Sequence, residues 1–105
     1  MEFIETPIFT RAVQELLSEE SYRTVQLALV LRPEQGVLIQ GSGGLRKLRW
    51  ARIGKGKSGG VRMIYYWDEP GAIVYLLLVY AKNMQDNLTP QQLRILRDLV
   101  HRELK

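Results

Sequence analysis

The chain has no cysteine, which excludes disulfides, thiolate nucleophiles and cysteine-held metals and fits a reducing compartment. Its single histidine, His101, lies near the C-terminal end, outside any carboxylate cluster. A metal site of the His and carboxylate kind is not expected, and neither is a Ser/His/Asp relay. The longest apolar run, Ala72 to Ala81, falls far short of the ~20 residues that span a bilayer. The opening MEFIETPIF begins acidic and lacks a signal-peptide pattern. A cytoplasmic location without a membrane partner is the expectation.

Negative charge is also scarce in one place. No Asp or Glu occurs from Gln35 to Trp67, whereas Arg46, Lys47, Arg49, Arg52, Lys55, Lys57 and Arg62 all fall there. They are seven of the fifteen basic residues, and the other eight stand against eleven acidic ones, about −3 for the rest of the chain. This asymmetry points to a dedicated anion-binding face. At 105 residues, one domain with one modest core is expected over 1–105.

Local patterns predict the elements. Glu2 to Ile8 reads as a strand that ends at Thr6-Pro7, or gives way there to a helix. Phe9, Val13, Leu16 and Leu17 have helical spacing. Ser18 before Glu19 and Glu20 reads as a second N-cap, with Tyr22, Val25, Leu29 and Val30 as the buried stripe of a helix to about Leu31. Val37 to Ile39 is a brief extended piece. Leu45 to Ile53 alternates, with Leu48 and Trp50 on one side and Lys47 and Arg49 on the other. Gly54 to Gly60 connects it to a strand over Val61 to Trp67. Asp68-Glu69-Pro70-Gly71 is a reversal, and Ala72 to Tyr80 is a central strand covered on both faces. Lys82 to Leu88 is a polar loop. Thr89, Pro90 and Gln92 open a final helix with a capping box; its apolar side holds Leu93, Leu96 and Val100, with Ile95 and Leu99 alongside. The class is α+β in the order β-αα-βββ-α, an antiparallel meander with helices packed on one face.

Gly54-Lys55-Gly56-Lys57-Ser58-Gly59 matches G-x-G-x-x-G. A dinucleotide site needs that motif to open a helix, and here a strand follows, so no nucleotide cofactor is expected. The simpler reading is a hairpin loop whose lysines contact phosphate. A cationic sheet face with tyrosines suits RNA or DNA binding. It also suits RNA cleavage by the substrate's own 2′-hydroxyl, since fixed cations stabilise charge developing at phosphorus. Lys47, between Arg46 and Arg49, is a candidate acid or base because neighbouring cations depress an amine pKa. Tyr66 is a candidate base-stacking residue. The residues alone leave binding and cleavage both open, with plain binding the simpler.

The blocks GGLRKLRW, GGVRMIYYW and YAKNMQDNLT, taken together, resemble the RelE superfamily of bacterial type II toxins, most closely its HigB-type branch. The resemblance covers nearly the whole chain and implies the family's fold. It implies an endoribonuclease that cuts translated mRNA in the ribosomal A site by metal-free 2′-hydroxyl attack, without cofactors. It implies a cognate antitoxin as partner, HigA-like with a helix-turn-helix domain. A toxin that is monomeric alone is expected from the helix patterns, which leave no long apolar helix face unaccounted for. By position, Lys47 and Arg49 match the basic pair on the strand entering the loop, and Arg62 matches the arginine that contacts the scissile phosphate. Lys82 and Asn83 fall where RelE has Lys-Arg; Asn83 cannot supply charge, which leaves Lys82 for the leaving group. Arg46, Arg52, Lys55, Lys57, Tyr66 and Asn83 would contact RNA. A tyrosine found in the final helix of RelE is missing, and Tyr66 or Tyr80 would have to substitute. The superfamily's ParE branch, directed at DNA gyrase, is the alternative, and a plain RNA-binding module is a third.

Overall fold

The computed structural model describes residues 1–51 and 60–104. Each helix starts on a side-chain cap, legible in the sequence at Ser18 and Thr89 and added by the structure at Thr6. Thr6 caps α1 (Pro7–Leu16), its hydroxyl accepting from the Phe9 amide with Pro7 in the first turn. Ser18 caps α2 (Glu19–Leu31) and accepts from the Ser21 amide, with Glu19 and Glu20 at the positive helix end. Thr89 and Gln92 complete a capping box on α3 (Pro90–Leu99), which runs into a π-turn over Val100–Leu104. The first strand, β1, is only Glu2–Glu5, because Thr6 turns the chain into α1.

The other strands are β2 (Val37–Leu38), β3 (Leu45–Trp50), β4 (Val61–Asp68) and β5 (Ile73–Ala81). They form one five-stranded sheet in the order β1-β5-β4-β3-β2. β2 to β5 are antiparallel neighbours. β1 lies parallel to β5, Glu2 opposite Ile73 and Glu5 opposite Leu76, so the sheet is mixed rather than a pure antiparallel meander. The meander grows away from β5, and β1 fills the edge that it leaves. The stretch expected from Arg52 to Gly59, with its glycine motif, lies outside the described residues.

The helices do not share one face. Phe9, Val13 and Leu17, with Val25 and Leu29 of α2, pack against Leu48, Met63, Tyr65, Val74 and Leu76. On the other face Leu96, Leu99, Val100 and Leu104 pack against Leu45, Ile64, Leu77 and Tyr80. The reason is β5. Its residues are apolar on both sides, so each side must be covered. A bulge adds to this: Ile64 pairs with Leu78 and Tyr65 with Leu76, which leaves Leu77 extra and turns both Leu77 and Leu78 toward α3.

Two expectations about apolar surface fail. Val30 is exposed rather than part of the α2 stripe, as are Leu27 and Leu31 beside it. An apolar helix surface therefore remains uncovered, which removes the argument made from sequence for a monomer. Ile95 is likewise exposed on α3.

One polar cluster fixes the loop between α2 and β2. The fully buried Tyr65 donates its hydroxyl to the Pro33 carbonyl at 2.7 Å and accepts the Gly36 amide at 2.9 Å. Arg46 Nη1 donates to the carbonyls of Glu34 and Gly36, each at 2.8 Å. A Cβ on Gly36 would stand 2.7 Å from Tyr65 Cε1, so only glycine fits. The reversal before β5 behaves differently from its sequence: Ala72, not Gly71, takes the positive φ of 54°.

Candidate nucleic-acid interface

Strand alternation assembles the site. Leu48 and Trp50 face the α1/α2 side, so Lys47 and Arg49 face the α3 side. On β4, Val61 and Met63 belong to the α1/α2 core, which turns Arg62 to the α3 side too. Arg49 and Arg62 are directly opposite in the β3–β4 register. Like charges so placed repel, and each needs a way out. Arg49 is exposed to solvent, whereas Arg62 is only 7% accessible. A buried guanidinium needs a partner, and the loop between β5 and α3 supplies one. Asp86 Oδ1 lies 3.1 Å from both Arg62 Nε and Nη2.

The same loop reaches Lys47. Its ammonium donates to Asn87 Oδ1 at 2.6 Å and to the Asp86 carbonyl at 3.5 Å. Tyr80, on β5 opposite Arg62, donates its hydroxyl to that same carbonyl at 3.2 Å. Burial pushes the Tyr80 phenol above its ordinary range; the Asp86 charge adds to this and Arg62 opposes it. Tyr80 is therefore a protonated hydroxyl at neutral pH, able to donate.

Lys47, Arg49 and Arg62 thus come together, with Tyr80 beside them. Lys82 and Asn83 are exposed just past β5. The Lys82 amide donates to the Gly60 carbonyl at 2.9 Å, which holds Lys82 beside the start of β4. Tyr66 sits elsewhere. It lies opposite Leu45, four residues along β4 from Arg62, and its ring tilts against Tyr75 with centroids 6.5 Å apart. Of the two tyrosines weighed as substitutes, Tyr80 is the one beside the cations. Arg46 points to the opposite face and is engaged there, so it does not crowd Lys47. Arg52, Lys55 and Lys57 lie outside the described residues. His101 is exposed in the π-turn. Among the described residues no group of three or more His, Cys, Asp or Glu could hold a metal ion.

Sequence reasoning passed over Asp86 and Asn87, reading their segment only as polar loop. The available signal was positional: Asp86 is the one carboxylate between β5 and the Thr89 cap, on a connection that must cross the end of the sheet near β4.

Beside the cations lies a groove of about 360 Å³, formed by Val37 to Gln40 on one side, Lys47 and Arg49 on the floor, and Asn87, Leu88 and Leu93 on the other. Among the described residues no helix is long and apolar enough to cross a membrane.

The class so far is that of a small α+β domain that gathers Lys47, Arg49 and Arg62 on one sheet face. Family comparison narrows it: residues 9–105 match the family described as the RelE toxin of the RelE / RelB toxin-antitoxin system. With nearly the whole chain matched, the protein belongs to the RelE toxin family, a toxin of the toxin–antitoxin kind. The fold agrees. The structure of a mutant E. coli toxin RelE in the free state superposes with a TM-score of 0.57 at 12% identity, covering 80% of this chain and 85% of that one.

Proposed function

We propose that this toxin is a ribosome-dependent endoribonuclease that cuts translated mRNA without a metal ion, with the site at Lys47, Arg49, Arg62 and Lys82. The observation that supports this best is the convergence of Lys47, Arg49 and Arg62 on one sheet face beside a protonated tyrosine. In this reaction the 2′-oxygen of the RNA attacks the adjacent phosphorus, and the bond from phosphorus to the 5′-oxygen breaks. A base takes the 2′-hydroxyl proton, an acid gives one to the 5′-oxygen, and the products are a 2′,3′-cyclic phosphate and a 5′-hydroxyl. Arg62 is assigned to the charge that builds on the phosphate oxygens. Asp86 marks the spot, since its carboxylate already sits where such an anion would bind, and it must yield when phosphate arrives. Lys47 and Arg49 add charge and, through Lys47, a base. Tyr80 or Lys82 supplies the proton to the leaving oxygen.

Family membership further suggests an antitoxin as partner. The exposed Leu27, Val30 and Leu31 of α2 and the open β2 edge with Val37 and Leu38 offer it apolar surface to cover. A HigA-like antitoxin, the HigB-type assignment and a cytoplasmic location belong to the same proposal.

Mapping mRNA 5′ ends after brief expression tests the reading. New ends inside translated frames, dependent on ribosomes, are expected. Intact message with arrested DNA gyrase would assign the chain to gyrase inhibition instead. Intact message with salt-sensitive RNA binding alone would leave a binding module.

A further inference from the structure

Lys47, Arg62 and Tyr80 are all occupied in the free protein, and one short segment occupies them. The Asp86 carboxylate lies 3.1 Å from Arg62. Lys47 donates to the Asn87 side chain at 2.6 Å and to the Asp86 carbonyl at 3.5 Å. The Tyr80 hydroxyl donates to that same carbonyl at 3.2 Å. Gln85, next in the chain, touches none of the three but fixes the segment that does. Its side-chain amide donates to the Asn87 carbonyl at 3.0 Å and to Gln92 Oε1 at 2.9 Å. Gln92 Oε1 also accepts the Thr89 amide at 3.0 Å, as part of the α3 capping box. Gln85 thus clips the segment to the start of α3. Both ends are anchored. The Met84 and Gln85 amides donate to the Ala81 carbonyl at 3.0 and 3.3 Å, and Leu88 packs into the α3 cluster. Between these anchors Asp86 and Asn87 are polar and exposed, the kind of segment that opens at low cost.

We infer that Gln85 to Asn87 form an autoinhibitory latch: the free toxin rests with the latch closed on Lys47, Arg62 and Tyr80, its opening releases the three together, and Gln85 is the positioning residue that sets how often it opens. This rests on the reading of Lys47 and Arg62 as phosphate-binding groups. The coupling lies in the bonding. Asp86 gives its carboxylate to Arg62 and its carbonyl to both Lys47 and Tyr80, so displacement of its backbone breaks all of these contacts at once. The closed form is unsuited to the reaction. Arg62 is neutralised, Lys47 is held by two oxygens, and the Tyr80 proton is spent on a carbonyl. An oxyanion at Arg62 competes with the Asp86 carboxylate and therefore selects the open form. The apparent affinity for that anion is the intrinsic affinity reduced by the open fraction, so whatever loosens the latch tightens binding.

The test titrates the whole, isotope-labelled toxin with pyrophosphate and follows the Arg62 Nε–H signal together with the side-chain amide signals of Gln85 and Asn87. All three should shift along one binding curve. Gln85→Ala removes both clip bonds and no contact to a cation. It should raise the affinity for pyrophosphate by about twofold to tenfold, since losing a hydrogen bond weakens the closed form by such a factor and the open fraction rises with it. A Gln85 that merely supported the fold would lower the urea midpoint and leave the affinity unchanged or reduced. Unchanged or reduced affinity in Gln85→Ala therefore overturns the inference. So does an Arg62 signal that responds while Gln85 and Asn87 stay silent, because the Asp86 side chain would then swing aside alone. Both of those results leave the anion site standing. If Arg62 responds to pyrophosphate neither in the natural protein nor in Gln85→Ala, the inference and the proposed site fail together.

Discussion

Arg46 and Arg62 stand on neighbouring strands, and each guanidinium meets a carboxylate, but the two faces of the sheet use them differently. Arg46 is tied mainly to backbone. Two carbonyls accept from it at 2.8 Å, and Glu34 is a distant addition at 3.9 Å. Backbone carbonyls cannot leave, so Arg46 is a permanent brace. Arg62 is tied to one side chain on a loop, with Asp86 more than half exposed while Arg62 is almost fully covered. A carboxylate on an exposed loop can be exchanged for a phosphate. Whether an arginine is structural or available is decided by what it holds, not by its burial.

The sharpest way to break this comparison is to remove each arginine. Arg62→Ala should lower mRNA cleavage by about a hundredfold or more, because a fixed cation is lost where charge develops. Thermal unfolding should change little, since the Asp86 left behind reaches water. Arg46→Ala should do the reverse: a loss of about 1–3 kcal/mol in urea unfolding from orphaned carbonyls, with cleavage per folded molecule retained. A fully active Arg62→Ala, or an Arg46→Ala of unchanged stability, would erase the distinction.

The brace can be broken from its other side. Gly36→Ala would push a methyl group to within 2.7 Å of Tyr65 Cε1, and overpacking of this kind costs about 1–3 kcal/mol. Denaturant unfolding measures it. The variant should lose stability while Lys47, Arg49 and Arg62 keep their register. A neutral Gly36→Ala would mean that the loop after α2 relaxes freely and that Arg46 braces little.

How much of this was legible depends on range. The three N-caps depend on residues at most three apart; Ser18 and Thr89 were readable as such, whereas Thr6-Pro7 read only as the end of a strand or the start of a helix. The facing of Lys47 and Arg49 followed from alternation. The same alternation placed Arg46 with Leu48, on the far side from Lys47, although its neighbours in sequence suggested one cationic cluster. What sequence could not give was contact at a distance. Asp86 is 24 residues from Arg62, and Tyr65 is 29 residues from Gly36. The side taken by α3 was also hidden, since a helix with one apolar stripe fits either face of an apolar strand. Val30 shows the limit of periodicity: it lies next to Leu29 in sequence but turns to solvent.

Alkaline pH should strain the two faces unequally. Burial raises the Tyr22 and Tyr65 phenols, and the hydrogen bond from Tyr22 to Glu5 raises Tyr22 further. Both lie on the α1/α2 side, where Tyr80 has no counterpart role. A raised native pKa means that the unfolded chain loses its phenol proton first, at about pH 10. Stability is therefore intact below about pH 10 and falls as pH rises above it. Tyr22→Phe should flatten that fall, as read by urea midpoints from pH 8 to 11. A slope that Tyr22→Phe leaves untouched would shift the burden to Tyr65 and Tyr80.

The smallest effects come from the two carboxylates, and they sharpen the comparison most. Glu34→Gln removes a contact at 3.9 Å from a largely exposed group, and exposed pairs contribute about 0–1 kcal/mol. Stability and RNA affinity should both stay nearly constant. Asp86→Asn keeps the shape of the loop but removes the charge that competes with phosphate for Arg62. Affinity for an uncleavable RNA should rise several-fold. The dependence of log affinity on log salt should steepen by up to about 0.7, the value of one cation released to a single strand. Arg62 would then be an anion site held closed by its own chain, whereas Arg46 would remain indifferent to its acid. If Asp86→Asn instead weakens RNA binding, Asp86 orients Arg62 rather than standing in for substrate, and the two arginines are both braces of the fold.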